Sequence, residues 1–346
     1  MSDKFKFDVV IGNPPYQEES TGDGTQAPPI YHRFMDEAYK IAKRVSFITP
    51  ARFLYNAGAT PKAWNKKMLE DEHLKVEYYE QDSSKVFINT DIKGGVAVTY
   101  RDADIDFGAI GTFTAFQELN SIIKKVASTN SESFSSIIFG QELYKYTEKL
   151  HEDYPVAESH LSKNHKYDIK TSAFDRLSYI FFDEKPNDGY SYIQFLGFQN
   201  NRRIFKWVRR DYISDHTSLD KYKVFIPAVN GSGAFGEALS LPLIGGPLIG
   251  STQTFLTIGS FDNNKEAEAV LKYIYTKFAR ALLGVLKVTQ HITSGKWEYV
   301  PLQDFTSASD IDWSQPIRKI DQQLYKKYGL DETEIDFIES HVKEMG

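Results

Sequence analysis

Two rhythms of apolar and polar positions alternate along this chain. Phe7-Asp8-Val9-Val10-Ile11-Gly12 is an apolar run of strand length that ends in glycine. Tyr31, Phe34, Met35, Ala38 and Ile41 fall at helical spacing and predict a helix over 31–41. Val45-Ser46-Phe47-Ile48-Thr49-Pro50 reads as a short strand stopped by proline, with Ala51-Arg52-Phe53-Leu54 after it. Lys75 to Gln81 alternates as a strand, and Val86 to Tyr100 reads as a turn feeding a last strand. Up to residue 110 the pattern is strand, helix, strand, which is α/β in character.

The texture then changes. Thr114-Ala115-Phe116-Gln117 has capping-box spacing, and Phe116, Leu119, Ile123 and Val126 form an apolar face, so a helix is expected over about 115–127. Ser128 to Ser136 is rich in Ser, Thr and Asn and reads as a linker. Residues 137–313 carry short strand-like runs at Tyr190–Phe198, Lys223–Ala228 and Thr252–Ile258. One long helix is predicted from Asp262 or Asn263 to near Thr289, with Val270, Ile274, Phe278, Leu282 and Val285 on its apolar side. A loop over Gln290–Val300 then carries Lys296 and Trp297. Residues 314–346 predict a helical hairpin. Ser314 caps Ile317, Ile320, Leu324 and Tyr328; Gly329 stops that helix; Asp331 caps Ile335, Ile338 and Val342. The hairpin either packs back on the core or docks on a partner. The expected organisation is a domain over 1–127, a linker over 128–136, a second domain of α+β type over 137–313 and the hairpin over 314–346.

Composition narrows the classes. With 346 residues, 41% hydrophobic and 14% aromatic, the chain can bury a sizeable core in one large or two ordinary domains. No run approaches the length of a membrane span, and Met1-Ser2-Asp3-Lys4 does not resemble a secretory signal. Cysteine is absent, which excludes disulfides and thiolate metal sites and fits a cytoplasmic protein. The eight histidines are scattered; His160 and His165 read as surface residues without a carboxylate partner, and no metal site is expected. Net charge is −6, so contact with a polyanion must come from a local patch.

The densest chemistry lies early. Asn13-Pro14-Pro15-Tyr16 follows directly on the first predicted strand. Two prolines stiffen the backbone and donate no N–H, which leaves carbonyls free to accept. Asn adds a side-chain acceptor and Tyr a flat ring. Such a corner can hold an exocyclic amine while a planar base lies on the aromatic face. Taken alone, the four residues fit a turn as well.

The corner and the segments after it resemble the adenine-N6 DNA methyltransferases of restriction-modification systems, of the Asn-Pro-Pro-Tyr type. The resemblance implies methyl transfer from S-adenosylmethionine to an adenine swung out of duplex DNA. It implies that Asn13 (side-chain oxygen) and Pro14 (carbonyl) accept from the adenine amine, with Pro15 stiffening the corner and Tyr16 stacking on the base. Phe87 is the candidate for the opposite face of the base, against the alternative of an ordinary core Phe. The resemblance also implies a Rossmann-like sheet, here partial. Only twelve residues precede the corner and a strand–helix–strand unit needs about 30, so the cofactor half is expected elsewhere. A complementary N-terminal methyltransferase region, or self-association through the strand edge, is the expected partner besides double-stranded DNA.

One motif offers a permuted alternative. Gly231-Ser232-Gly233-Ala234-Phe235-Gly236 has G-x-G-x-x-G spacing, but Pro242, Gly245, Gly246 and Pro247 follow too soon for a helix. A glycine-rich loop between strands is the competing explanation. The main S-adenosylmethionine motif is therefore not found. Arg202, Arg203, Lys206, Arg209 and Arg210, with Lys221 and Lys223 nearby, form the densest cationic stretch and the candidate DNA contact, in a domain resembling target-recognition domains. A solvated face paired with Asp211, Asp215 and Asp220 is the alternative. Asp183-Glu184-Lys185 reads as an exposed loop rather than a nuclease site. Three functions stay open: a methyltransferase needing a further cofactor-binding region, a DNA-recognition module without catalysis, and a permuted self-sufficient methyltransferase.

Overall fold

The structure, a computed structural model, describes residues 5–18, 27–56, 58–88, 90, 92, 94–287 and 289–345. Met1–Lys4, Asn89, Asp91 and Lys93, quoted above, lie outside the described residues. The chain divides into two compact units, 1–120 and 121–346.

In the first unit the chain runs β1 (Phe7–Gly12), α1 (Tyr31–Ile41), β2 (Ala42–Pro50), α2 (Lys62–Leu69), β3 (Leu74–Glu80) and β4 (Val96–Asp102). The sheet order is β1-β2-β4-β3. β1 runs parallel to β2, while β4 lies antiparallel between β2 and β3, so β1, β2 and β3 share one direction. Of the face its spacing predicts, α1 leaves Phe34 exposed and buries Tyr31, Met35 and Ala38. With Val45, Phe47, Phe53, Trp64, Met68, Leu74 and Ala97 they form the core of this unit. A fully buried Met such as Met35 contributes roughly 1.5–3 kcal/mol.

β1 is the unusual strand. It stands at the sheet edge, and Phe7 (54%), Val9 (50%) and Ile11 (75%), which share one face, are exposed. Val10, on the other face, packs toward the core. Parallel strands ordinarily have both faces covered.

α3 (Gln117–Ser128) follows, close to its predicted span. Its entry is fixed differently from the expected Thr114–Gln117 box: the Thr114 N–H donates to Asn120 Oδ1 at 2.7 Å, and Asn120 Nδ2 donates to the Thr114 carbonyl at 3.0 Å. The division of the chain falls inside this helix, at 120/121. The stretch read as a linker, 128–136, contains a turn at Phe134–Ile137 with Phe134 fully buried. Phe134 N–H donates to the Val300 carbonyl at 2.7 Å, which ties that stretch into the second unit.

The second unit continues with β5 (Ile138–Phe139), α4 (Glu148–Asp153), the single turns α5 (Ala157–His160) and α6 (Ala173–Arg176), β6 (Tyr192–Gln199), β7 (Arg202–Arg209), β8 (Tyr222–Pro227), β9 (Leu243–Gly245), β10 (Ile249–Ser251) and β11 (Phe255–Phe261). They form a β10-β6-β7 sheet and a β5-β11-β8-β9 sheet. Asn200 and Asn201 join β6 to β7 with φ of 50° and 59°, the left-handed pair that a two-residue hairpin turn requires. Four helices complete the unit: α7 (Asn264–Tyr275), α8 (Lys277–Leu286), α9 (Ile317–Lys327) and α10 (Glu332–His341).

Two helix expectations are corrected. The single helix predicted from residue 262 is α7 and α8, broken at Thr276, whose backbone is extended (φ −58°, ψ 145°) and whose Oγ1 caps α8 by accepting from Ala279 N–H at 3.2 Å. Periodicity alone cannot see this break, because apolar spacing continues through it. Ser314 does not cap α9, which begins after Pro316 without a side-chain cap. Asp331 does cap α10, in a full capping box with Glu334.

Candidate functional site

The strand directions bring three chain segments to one end of the first sheet. Gly12, the last residue of β1, pairs with Phe47 of the parallel β2. Pro50, the last residue of β2, pairs with Val96, the first of β4, and Glu80 at the end of β3 pairs with Val96 too. The Asn13–Tyr16 corner, the 3-10 turn Ala51–Tyr55 and the segment carrying Phe87 therefore all leave from the carboxyl ends of β1, β2 and β3. In open α/β sheets this is the end at which ligands bind.

The corner lies at the surface. Asn13 and Pro15 are exposed, Pro14 is buried and Tyr16 is half-buried against the core. Among the described residues no donor reaches the Asn13 side chain or the Pro14 carbonyl, so both acceptors are unpaired, the first on an exposed residue and the second on a buried one. The corner is braced from behind: the Tyr16 carbonyl accepts from Ile30 N–H at 3.1 Å, Glu18 N–H donates to the Pro28 carbonyl at 3.0 Å, and Gln17 bridges Pro29. Burial pushes the Tyr16 hydroxyl up to about 12. Its oxygen is buried without a partner among the described residues. A neutral phenol there presents an aromatic face rather than a charge.

Phe87 is half-buried in a turn knitted by Ser83, whose carbonyl accepts from Phe87 N–H at 2.9 Å and whose Oγ accepts from Ile92 N–H at 2.8 Å. Gly95, with φ 77°, returns the chain to β4; a Cβ there would strike the Glu80 carbonyl. Its own carbonyl accepts from Ala51 N–H at 3.0 Å, linking this turn to the end of β2. Two further residues arrive at this end without having been singled out from the sequence. Arg52 is exposed, and Tyr55 forms an edge-to-face trio with Tyr79 and Phe113. The glycines at 58 and 94, both with positive φ, are the only sequence signal for this arrangement.

The cationic stretch of the second unit is largely neutralised within the protein. Lys206 pairs with Asp183 at 2.8 Å, which also gives the 183–185 loop a structural role. Arg209 is held by Asp211 and by Asp153 at 3.3 Å, and lies over the Tyr190 ring at 3.7 Å. Arg210 pairs with Asp215, Lys221 with Asp262, and Arg203 donates to the Leu241 carbonyl. Lys223 is a correction: it is fully buried, with Nζ donating to the Ser218 carbonyl at 2.7 Å and the Leu219 carbonyl at 3.1 Å, and it cannot reach DNA. Burial lowers it to about 7. Arg202, beside the Asn200–Asn201 turn, remains exposed. The turn residues Asn200 and Asn201 line a hollow of about 420 Å³ together with Gln199, Gln253, Lys170, Arg176 and Asp175; Arg202 is not part of its lining.

The glycine-rich motif is occupied from within. The Glu237 carboxylate accepts from Ser232 N–H at 2.8 Å, Ser232 Oγ at 2.9 Å and Gly233 N–H at 2.9 Å, and it pairs with Lys287. Burial raises its pKa, but Lys287 and the loop donors outweigh that and hold it at about 2. No helix follows Gly236. His165 is a second correction, since Nδ1 lies 2.6 Å from Asp168, a carboxylate that sequence spacing did not reveal. Lys145 and Lys170 share that carboxylate at 2.6 and 3.0 Å. Among the described residues no group of three or more His, Cys, Asp or Glu is placed to hold a metal ion, and no helix is long and apolar enough to cross a membrane.

Residues 1–87 match the Eco57I restriction-modification methylase family. The matched stretch contains β1, the Asn13–Tyr16 corner, α1, β2, β3 and Phe87, the parts that converge at one end of the sheet. An uncharacterized adenine-specific methylase of Mycoplasma pneumoniae (strain ATCC 29342 / M129) is 34% identical over 94 residues, covering 26% of this chain and 22% of that protein. Two solved structures overlap it loosely. The type IIG restriction endonuclease BpuSI is 9% identical at TM-score 0.30, over 92% of this chain and 50% of that one. The type IIL restriction-modification enzyme MmeI, solved in complex with DNA, is 10% identical at TM-score 0.34, over 96% and 56%. The chain thus spans about a fifth of the curated relative and about half of each solved structure.

Proposed function

We propose that this chain carries the base-gripping part of an adenine-N6 DNA methyltransferase of a restriction-modification system. The observation that supports this best is the unpaired pair of acceptors, Asn13 Oδ1 and the Pro14 carbonyl, on a rigid corner at the carboxyl end of parallel strands. An adenine amine brings two N–H donors to meet them. Accepting both raises electron density on the nitrogen as it attacks the methyl group, and fixes its line of approach. Pro15 keeps the corner stiff, and Tyr16 and Phe87 supply aromatic surface at the same end of the sheet. S-adenosylmethionine would supply the methyl group on a sulfonium whose sulfur departs as a neutral thioether.

The bare face of β1 supports a further cofactor-binding region. A parallel edge strand with Phe7, Val9 and Ile11 in water calls for cover by more sheet or helix. The glycine motif does not compete for that role, because its donors already hold Glu237. In the second unit, DNA contact contracts from the whole cationic stretch to the exposed Arg202 and the neighbouring Asn200–Asn201 turn, since amides and arginine are the side chains that read base edges.

The decisive experiment expresses the full chain in cells without adenine methylation and maps N6-methyladenine by sequencing. Methylation at discrete sites by the parent, lost in Asn13→Ala with DNA binding retained, is the expected outcome. Undiminished methylation by the variant would remove Asn13 from catalysis. DNA binding without methylation by the parent, in every setting including supplied upstream coding sequence, would leave a recognition module.

A further inference from the structure

We propose that Arg52 binds a DNA phosphodiester beside the base presented to Asn13 and Pro14. This rests on the methyltransferase reading above and adds to it a substrate-binding residue. Arg33, Arg44, Arg52 and Arg101 are the arginines of the first unit. Three of them are paired: Arg33 with Glu18 at 3.3 Å, Arg44 with Asp102 at 3.0 Å, and Arg101 with Asp71 at 2.7 Å. Among the described residues Arg52 has no carboxylate partner, although its stem runs close against two glycines.

The confinement comes from two glycines in different segments. A Cβ on Gly94, at φ 87°, would lie 2.7 Å from Arg52 Cγ. One on Gly58, at φ 84°, would lie 3.2 Å from Arg52 Cβ and 3.6 Å from Cδ and Nε. Both positions adopt a backbone that favours glycine, and both spend that freedom on room for one stem. The anchor point is fixed as well, since Ala51 N–H donates to the Gly95 carbonyl at 3.0 Å and Phe53 and Leu54 are buried. A stem held between two backbones loses little further freedom when its exposed head meets an anion.

Placement selects the anion. Arg52 leaves the carboxyl end of β2, and Asn13 leaves the same end of β1, the adjacent parallel strand. A base lifted from a duplex remains tied to its flanking phosphates, so whatever grips the base brings phosphodiesters alongside. A guanidinium fork matches phosphate oxygens in pairs. The carboxylate of S-adenosylmethionine offers the same chemistry, and the experiment separates the two.

Binding of the full chain to a mixed-sequence 30-bp duplex is followed by fluorescence anisotropy across a salt series, for the parent, Arg52→Ala and Arg52→Lys. Loss of one phosphate contact lowers the slope of log affinity against log salt by about 1. Arg52→Ala is expected to show that loss with an unchanged melting temperature. Arg52→Lys is expected to recover the slope but not the full affinity. Gly94→Ala, which pushes on the stem, should weaken binding in the same direction. Parent-like slope and affinity in Arg52→Ala would overturn the inference and leave the methyltransferase reading standing. An unchanged DNA slope with lost calorimetric heat for S-adenosylmethionine would overturn the phosphodiester in favour of the cofactor carboxylate. A parent with no salt-dependent DNA binding would overturn both.

Discussion

Lys223 shows how far residue type alone can mislead. In the sequence it is one cation of a basic stretch; in the fold it is a buried ammonium bonded to two carbonyls, without a carboxylate. Burial lowers its pKa from 10.5 to about 7. A base with a depressed folded pKa binds fewer protons folded than unfolded, so stability rises as pH climbs from about 7 toward 10.5. The parent should gain about 2 kcal/mol between pH 7 and 9 relative to Lys223→Met, read from urea melts at each pH. Equal pH slopes would show that the amine is not sequestered. The Asn13–Tyr16 corner was legible because its chemistry is local: an amide, two prolines and a phenol in consecutive positions need no fold to be recognised. Arg52 was not, because its significance depends on Gly58 and Gly94, which meet it only after the chain has folded. His165 and Asp168 escaped for the same reason, since a three-residue spacing in a turn looks like any other.

At the scale of elements, α1 and the strands of the first unit fell close to the apolar runs, because most bury one face against a common core; α2 had no such signal and β1 leaves its apolar residues largely exposed. The pattern failed where a break is polar and local. Thr276 splits a continuous apolar helix by capping the second half, and at the entry of α3 the Asn120 side chain ties the Thr114 backbone while the Thr114 hydroxyl accepts from Phe116 N–H. The glycine-rich loop is the sharpest case. Its spacing suggests a cofactor turn, yet Glu237 closes it on Lys287, which is 3% exposed. Glu237→Gln leaves that ammonium buried without a counter-charge, and the expected loss is about 3–5 kcal/mol in denaturant unfolding. Because Glu237 titrates near 2 when folded, its contribution is present above about 4.5 and fades as pH falls toward 2. A variant as stable as the parent would mean that the pair is solvated.

The whole molecule consists of two units whose surfaces differ in kind. In the second, charges are met by opposite charges almost wherever the sequence clusters them. The first leaves Phe7, Val9 and Ile11 uncovered on one strand. Exposed apolar strands at a sheet edge pair with other chains. Val9→Lys with Ile11→Lys should therefore reduce self-association in sedimentation velocity, with little change in melting temperature, since neither side chain is buried. Association that persists in the double variant would place the contact elsewhere.

The carboxylate seated in the glycine loop has a consequence for any anion in solution. Glu237 is tethered within a few residues of the donors it occupies, so it competes as though present at millimolar concentration or more. A free phosphate group must evict a resident that never diffuses away, and then leave the Glu237 carboxylate stripped of Lys287 and of its loop donors. Glycine spacing describes the bowl; whether the bowl is vacant is decided by the residue that follows it.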